Sequence, residues 1–225
     1  MTQRIRREEH WLAMQALRAL YDPVFGLTMP ERRLRSMILE QAGIETGHRV
    51  LDVSCGTGSL LMLLSGRNHH TALVGVEPDA GMLDIAAKKG REAHREIRWT
   101  SGSALFLPLQ SQAFDRVLTM FVLHHLDTTN KGDARAEIFR VLRPGGQLHI
   151  ADWGKPHTIL MRIASISLKV FEPSDGVEAN LLGQLPELCA HAGFWGVRQT
   201  LDMSTTFGTV TMFSAVRPAE SARAM

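Results

Sequence analysis

With 225 residues and 25 Lys and Arg set against 23 Asp and Glu, the chain is long enough for one α/β domain and too evenly charged to mark a nucleic-acid partner. A hydrophobic share of 44% and a charged share of 21% exclude a largely disordered chain. Its two cysteines, Cys55 and Cys189, lack both metal spacing and the density of a disulfide scaffold, so a reduced, cytoplasmic setting is expected, with neither thiol as a nucleophile.

In chain order, Ile5, Trp11, Leu12, Met14, Leu17 and Leu20 predict an amphipathic helix over residues 3–20, closed by Tyr21-Asp22-Pro23. A second helix is expected from Pro30 to Ala42, with proline in its first turn and Gly43 at its end. Arg4, Arg6, Arg7, Arg18, Arg32, Arg33 and Arg35 crowd this region, but Glu8, Glu9 and Glu31 interrupt them. The cluster would suit acidic headgroups or an anionic substrate; a solvated helix face is the simpler reading. Nothing approaches the ~18 apolar residues of a membrane span, and the N-terminus lacks an apolar signal core, so a soluble, unprocessed protein is expected, peripheral membrane contact remaining open.

Short apolar runs then alternate with helical stretches. Strands are predicted at His48–Val53, Ala72–Glu77, Ile97–Ser101, Arg116–Met120 and Gln147–Asp152, and helices at Gly58–Ser65, Ala80–Lys89 and Asp133–Leu142. This alternation selects a doubly wound parallel sheet. After Asp152 come an apolar segment at Thr158–Phe171, a helix near Ala179–Ala192, and two runs, Val197–Met203 and Thr206–Val216, that read as an antiparallel pair. The chain divides into N-terminal helices (1–45), a binding core (46–153), a covering insert (154–182) and a closing helix and strand pair (183–217). The insert's Leu160, Met161, Ile163, Ile166, Leu168, Val170 and Phe171 would roof an aromatic or lipidic ligand, or simply pack into the core.

The segment Arg49–Leu60 is a strand, a glycine turn and a helix start, a form that lets a ligand approach the backbone. Two cofactor types fit. The dinucleotide fingerprint G-x-G-x-x-G needs a third glycine for close helix–strand packing, and here that position holds Leu61. Glu77, closing the second strand, can accept two ribose hydroxyls but serves either type.

Val50–Gly58 resembles motif I of the class I S-adenosylmethionine-dependent methyltransferases: Asp52, Gly56 and Gly58 match it, while Ser54 replaces the usual first glycine. Leu73–Leu83, with Glu77, Pro78 and Met82, is similar to the second motif, whose acid holds the cofactor ribose. Ser101–Ala104 and Leu107-Pro108 sit where the family has Gly-Asp-Ala and Leu-Pro, Ser103 replacing an acid that contacts adenine. Phe114–Val117, Val122–Leu126 and Val141–Gly146 complete an ordered set over residues 48–152. The closest flavour is the subgroup of ubiquinone and menaquinone biosynthesis and phosphatidylethanolamine methyltransferases, whose lead-in Tyr21-Asp22-Pro23 also resembles.

The resemblance implies a Rossmann-like, mostly parallel seven-stranded sheet with an antiparallel C-terminal hairpin strand. It implies S-adenosylmethionine bound by Tyr21, Asp52, Ser54, Cys55, Gly56, Gly58, Glu77, Pro78, Met82, Gly102, Ser103, Ala104 and Phe121, and methyl transfer to a small aromatic or apolar acceptor. His124 and His125 follow the fourth strand, at the sheet edge where ligands bind in open α/β folds, and adjacent side chains of an extended segment point opposite ways. His125 is the candidate base, with structural hydrogen bonding as its alternative role. His124, Asp152 and Trp153 are candidates for lining the acceptor; alternatively His124 is structural, Asp152 caps a turn and Trp153 is pocket wall. His10, His69, His70 and His191 show no ligand spacing, and no metal is expected. A nicotinamide-dependent oxidoreductase and a protein that binds the cofactor without transferring a methyl group are the competing readings.

Overall fold

The computed structural model describes residues 30–67, 70–171 and 175–219; the predicted helix at 3–20 and Tyr21 lie outside them. Seven strands form one sheet in the order β3-β2-β1-β4-β5-β7-β6: β1 (Arg49–Val53), β2 (Ala72–Glu77), β3 (Ile97–Ser101), β4 (Phe114–Met120), β5 (Leu142–Trp153), β6 (Trp195–Thr205) and β7 (Gly208–Val216). The β1, β2, β3, β4 and β5 pairings are parallel, while β7 runs antiparallel to both β5 and β6. This is the expected sheet. Its order reverses beside β1, so β1 and β4 splay their connections to opposite sides and open a crevice at their carboxyl ends.

Seven α-helices accompany the sheet among the described residues: α1 (Glu31–Ala42), α2 (Ser59–Ser65), α3 (Ala80–Glu92), α4 (Thr128–Val141), α5 (Ile159–Phe171), α6 (Asp175–Leu181) and α7 (Leu185–His191). None of the described helices is long and apolar enough to cross a membrane. Strand β1 is buried on both faces after Arg49, which is why its sequence reads as a continuous apolar run. The period of two sends Leu51 and Val53 into one core and Val50 into the other. Asp52 shares its face with Val50, and that second core also contains Leu34, Ile38 and Leu39 of α1. The strand's alternation therefore turns the Asp52 carboxyl toward α1.

Three local expectations are revised. The helix expected at Ala179–Ala192 is two helices, α6 and α7, parted where Gly183 adopts a left-handed φ of 77° and where Pro186 begins a new first turn. The segment at His124 and His125 is a turn of 3₁₀ helix, Leu123–His125, and not extended chain, so the two rings lie together with centroids 3.9 Å apart. In α5, Met161 is buried but Ile159, Leu160, Ile163 and Ile166 face outward; periodicity identified the stripe without deciding which part of it would be covered. The sequence also gave no sign of Lys131, whose fully buried ammonium donates to Gly176 O at 2.6 Å and Asn180 Oδ1 at 2.7 Å and ties α4 to α6. Burial lowers its pKa to about 8.

Candidate functional site

The turn after β1 lines a cleft together with α1 and the end of β4. Its walls include Asp52, Ser54, Cys55, Gly56 and Thr57 from the turn, Ser59 and Leu60 from α2, Glu31 and Arg35 from α1, and Met120 and Phe121. Of the residues expected to hold a cofactor, Asp52, Ser54, Cys55, Gly56 and Phe121 are on this wall. Glu77 stands behind it: Oε2 accepts the Gly56 N–H at 2.9 Å and Oε1 the Asp79 N–H at 3.0 Å. A carboxylate offers about four acceptor positions, so Glu77 can brace the turn and still receive a ligand hydroxyl. Pro78 and Met82 lie at the start of α3, where the Asp79 carboxylate caps the helix by accepting the Met82 N–H at 2.9 Å. Gly102, at the end of β3, donates to Glu77 O at 3.2 Å, bringing Ser103 and Ala104 to the same edge. The Ser103 hydroxyl accepts the Leu105 N–H at 3.2 Å.

The two glycines of the turn do different things. A Cβ on Gly56 would meet nothing within 4 Å, whereas one on Gly58 would overlap the Trp99 ring. Gly56 leaves space at the cleft, while Gly58 lets Trp99 pack beneath the turn. Leu61 is fully buried in the core, occupying the place where a dinucleotide fold would bring helix and strand together over glycine. Ser54 and Phe121, both non-glycine, adopt left-handed φ angles of 55° and 56°. Such a conformation costs about 1–2 kcal/mol. Ser54→Gly is therefore expected to raise Tm by roughly 2–4 °C, with the gain kept below the full strain energy by glycine's freedom in the unfolded chain; a lower Tm in a thermal melt would refute the strain assignment.

Burial pushes the Asp52 carboxyl up to about 8, nearby Glu77 adding to the rise and Arg35 opposing it. The folded, ligand-free protein thus keeps a proton that the unfolded chain releases near its ordinary value of 3.8. The stability this contributes is full below that value and is lost as pH rises to about 8. Thermal melts between pH 5 and 8 should show Tm falling, and Asp52→Asn should flatten the slope; an unchanged slope in Asp52→Asn would exclude Asp52 as its source. The Cys55 thiol is raised by burial, Asp52 and Glu77, which leaves it unreactive.

Beside the cleft, buried Asp152 organises the ends of β4 and β5. Its Oδ1 meets His124 Nδ1 at 2.6 Å and accepts the Trp153 N–H at 2.7 Å, while Oδ2 accepts the N–H groups of Leu123 and His124 at 2.8 and 3.3 Å. Burial alone would raise its pKa; His124 and the backbone donors outweigh that and hold it below the usual carboxylate value. Phe121 contacts Trp153 with ring centroids 5.2 Å apart and His124 at 6.5 Å, linking the cleft wall to this pair. His124 and Trp153 are buried, and His125 is exposed. Among the described residues, no group of three His, Cys, Asp or Glu is placed to hold a metal ion.

Sequence reasoning missed Glu31, Arg35, Thr57, Ser59, Leu60 and Met120 as cleft residues. Arg32 and Arg33 are the solvated face expected of this region, but Arg35 is turned inward and paired with Glu31. The available signal was their i, i+4 spacing next to Leu34 and Ile38.

Residues 50–146 match the family model described as "Methyltransferase domain". The chain is 34% identical over 125 residues to a demethylmenaquinone methyltransferase of Thermus thermophilus, covering 56% of this chain and 54% of that protein. It is 32% identical over 154 residues to the chloroplastic 2-phytyl-1,4-beta-naphthoquinone methyltransferase of Arabidopsis thaliana, covering 65% and 58%. The chain thus spans little more than half the length of these relatives. Phosphoethanolamine N-methyltransferase 2 of Haemonchus contortus, solved with S-adenosyl-L-methionine, superposes with a TM-score of 0.72 at 18% identity over 91% of this chain and 57% of that one. Strand order and the reversal beside β1 give this chain the Rossmann-like fold of the class I methyltransferases, and its residues 50–146 match the methyltransferase domain.

Proposed function

We propose that the protein transfers a methyl group from S-adenosylmethionine to a small aromatic or apolar acceptor of the quinol type. The carrying observation is the Asp52–Gly58 turn: it presents Gly56 to an open cleft, is braced by Glu77, and lies within the region that matches the methyltransferase domain. When bound, the cofactor supplies an electrophilic methyl group on a sulfonium. Glu77 holds the ribose through acceptor capacity that the turn does not use, the backbone at Gly56 permits close approach, and Ser103 with Ala104 faces the adenine. Pro78 and Met82 complete the cofactor's surroundings. Asp52 and Glu31 suit the positive charge of the methionyl end.

In-line displacement depends on alignment and exclusion of water. Phe121, Met120 and Leu60 provide an apolar wall for both, with buried Trp153 packed against Phe121. An acceptor hydroxyl must lose its proton, and a ring nitrogen of exposed His125 is the group we assign to take it. His124, fixed by Asp152 and stacked on His125, positions that ring. The enzyme's setting is the cytoplasm, and the quinone-type acceptors named for its relatives motivate the acceptor class.

The test is calorimetry with S-adenosylmethionine and S-adenosylhomocysteine, followed by measurement of S-adenosylhomocysteine released with demethylated naphthoquinols. Binding plus acceptor-dependent release is expected. Binding of neither cofactor form would end the proposal; binding without release across hydroxylated aromatic acceptors would favour a protein that uses the cleft without methyl transfer.

A further inference from the structure

The cleft that receives the methionyl end is lined by two carboxylic side chains and one cation, with a third carboxylate close behind the wall. Asp52 and Glu31 are on its wall, Glu77 stands behind Gly56, and Arg35 is the basic residue among those lining it. The ligand proposed for this cleft carries two positive groups, a sulfonium and an α-ammonium, and one negative group, an α-carboxylate. Acidic residues suit the first two. A carboxylate placed here without a cation would face the Glu31 carboxylate and be repelled.

We propose that Arg35 binds the α-carboxylate of the cofactor's methionyl end and is the residue by which this chain recognises the intact amino-acid portion of the donor. The inference rests on the cofactor reading above. Its side chain is about 15% exposed, and helix α1 is fixed from below by fully buried Leu34 and Ile38, so the guanidinium is presented from a rigid element. Glu31, one turn earlier, accepts from Arg35 Nη2 and is itself buried. This contact limits the rotation of the planar fork, and a guanidinium with five donors can serve two carboxylates at once. Arg35 is also close enough to favour the ionised form of Asp52, so it lies within electrostatic reach of the turn after β1.

Lys89 does not offer the same service. Its ammonium donates to Thr57 O and Ser59 Oγ, each at 3.2 Å, and it is not among the residues of the cleft wall. It reinforces the turn from α3.

The discriminating experiment compares S-adenosylmethionine with decarboxylated S-adenosylmethionine, which keeps the sulfonium and the amine but lacks the carboxylate. Titration calorimetry on the full chain should show the wild type preferring the intact molecule by roughly thirty-fold, as for one charge-assisted pair. Arg35→Gln should weaken S-adenosylmethionine by a similar factor and leave the decarboxylated form unchanged or tighter, because a positive charge beside two cationic groups has been removed. Arg35→Lys, which keeps the charge but loses the fork, should fall between. Equal loss for both ligands, or no loss for either, would overturn the assignment. So would equal affinity of the wild type for the two ligands, a result that needs no variant to fold. Failure of the wild type to bind either ligand or S-adenosylhomocysteine would instead remove the cofactor reading on which the inference stands.

Discussion

Replacing Gly56 by valine is expected to weaken cofactor binding by about a hundredfold or more, equivalent to at least ~2.7 kcal/mol, while leaving the protein folded. The open space beside Gly56 extends toward the cleft, and a β-branched side chain would occupy the room through which the ligand approaches the backbone. Its left-handed φ of 54° adds a stability cost of about 1–2 kcal/mol. Gly58→Ala is the informative contrast, because its added carbon overlaps Trp99 beneath the turn: there the principal loss should be in Tm. Calorimetry with S-adenosylhomocysteine beside a thermal melt separates the two. Retained affinity in folded Gly56→Val would place the ligand elsewhere.

Asp152→Ala should give the largest loss of stability, about 3–5 kcal/mol, seen as a fall in Tm of about 10 °C in a chain of this length. The carboxylate serves three backbone N–H groups and the His124 ring from a fully enclosed position, and alanine would leave those donors buried without an acceptor. Because the native pKa of Asp152 is depressed, its contribution is present above the ordinary carboxylate range and is lost as pH falls through the native value. His125→Ala should behave differently: the exposed ring carries little stability, so Tm should hold while turnover falls by about 10²-fold, the scale of a general base. Unchanged turnover would eliminate His125 as the base; a preserved Tm in Asp152→Ala would mean that the Asp152 network is replaceable.

The strand positions and the cleft turn were legible because both are local patterns. Buried parallel strands read as apolar runs, and the turn after β1 must carry glycines where backbone folds sharply or packs against a ring. The fate of each glycine was not legible: Gly56 opens on the cleft and Gly58 on Trp99, a distinction made by β3, some forty residues away. Likewise the adjacent histidines were visible as titratable groups at a strand end, but whether they point apart or together depended on the 3₁₀ turn that Asp152 draws closed.

The sequence by itself determined the class I sheet, the antiparallel strand pair at its C-terminal side and the position of the cofactor turn, since period, glycine placement and motif order are properties of neighbours along the chain. Only the tertiary structure decided that Arg35 leaves the arginine-rich surface for the cleft and that His124 is locked to Asp152 while His125 faces solvent. Charge and polarity are written in composition, but the partner and the dielectric that give them chemical meaning are fixed by segments distant in sequence and adjacent in space.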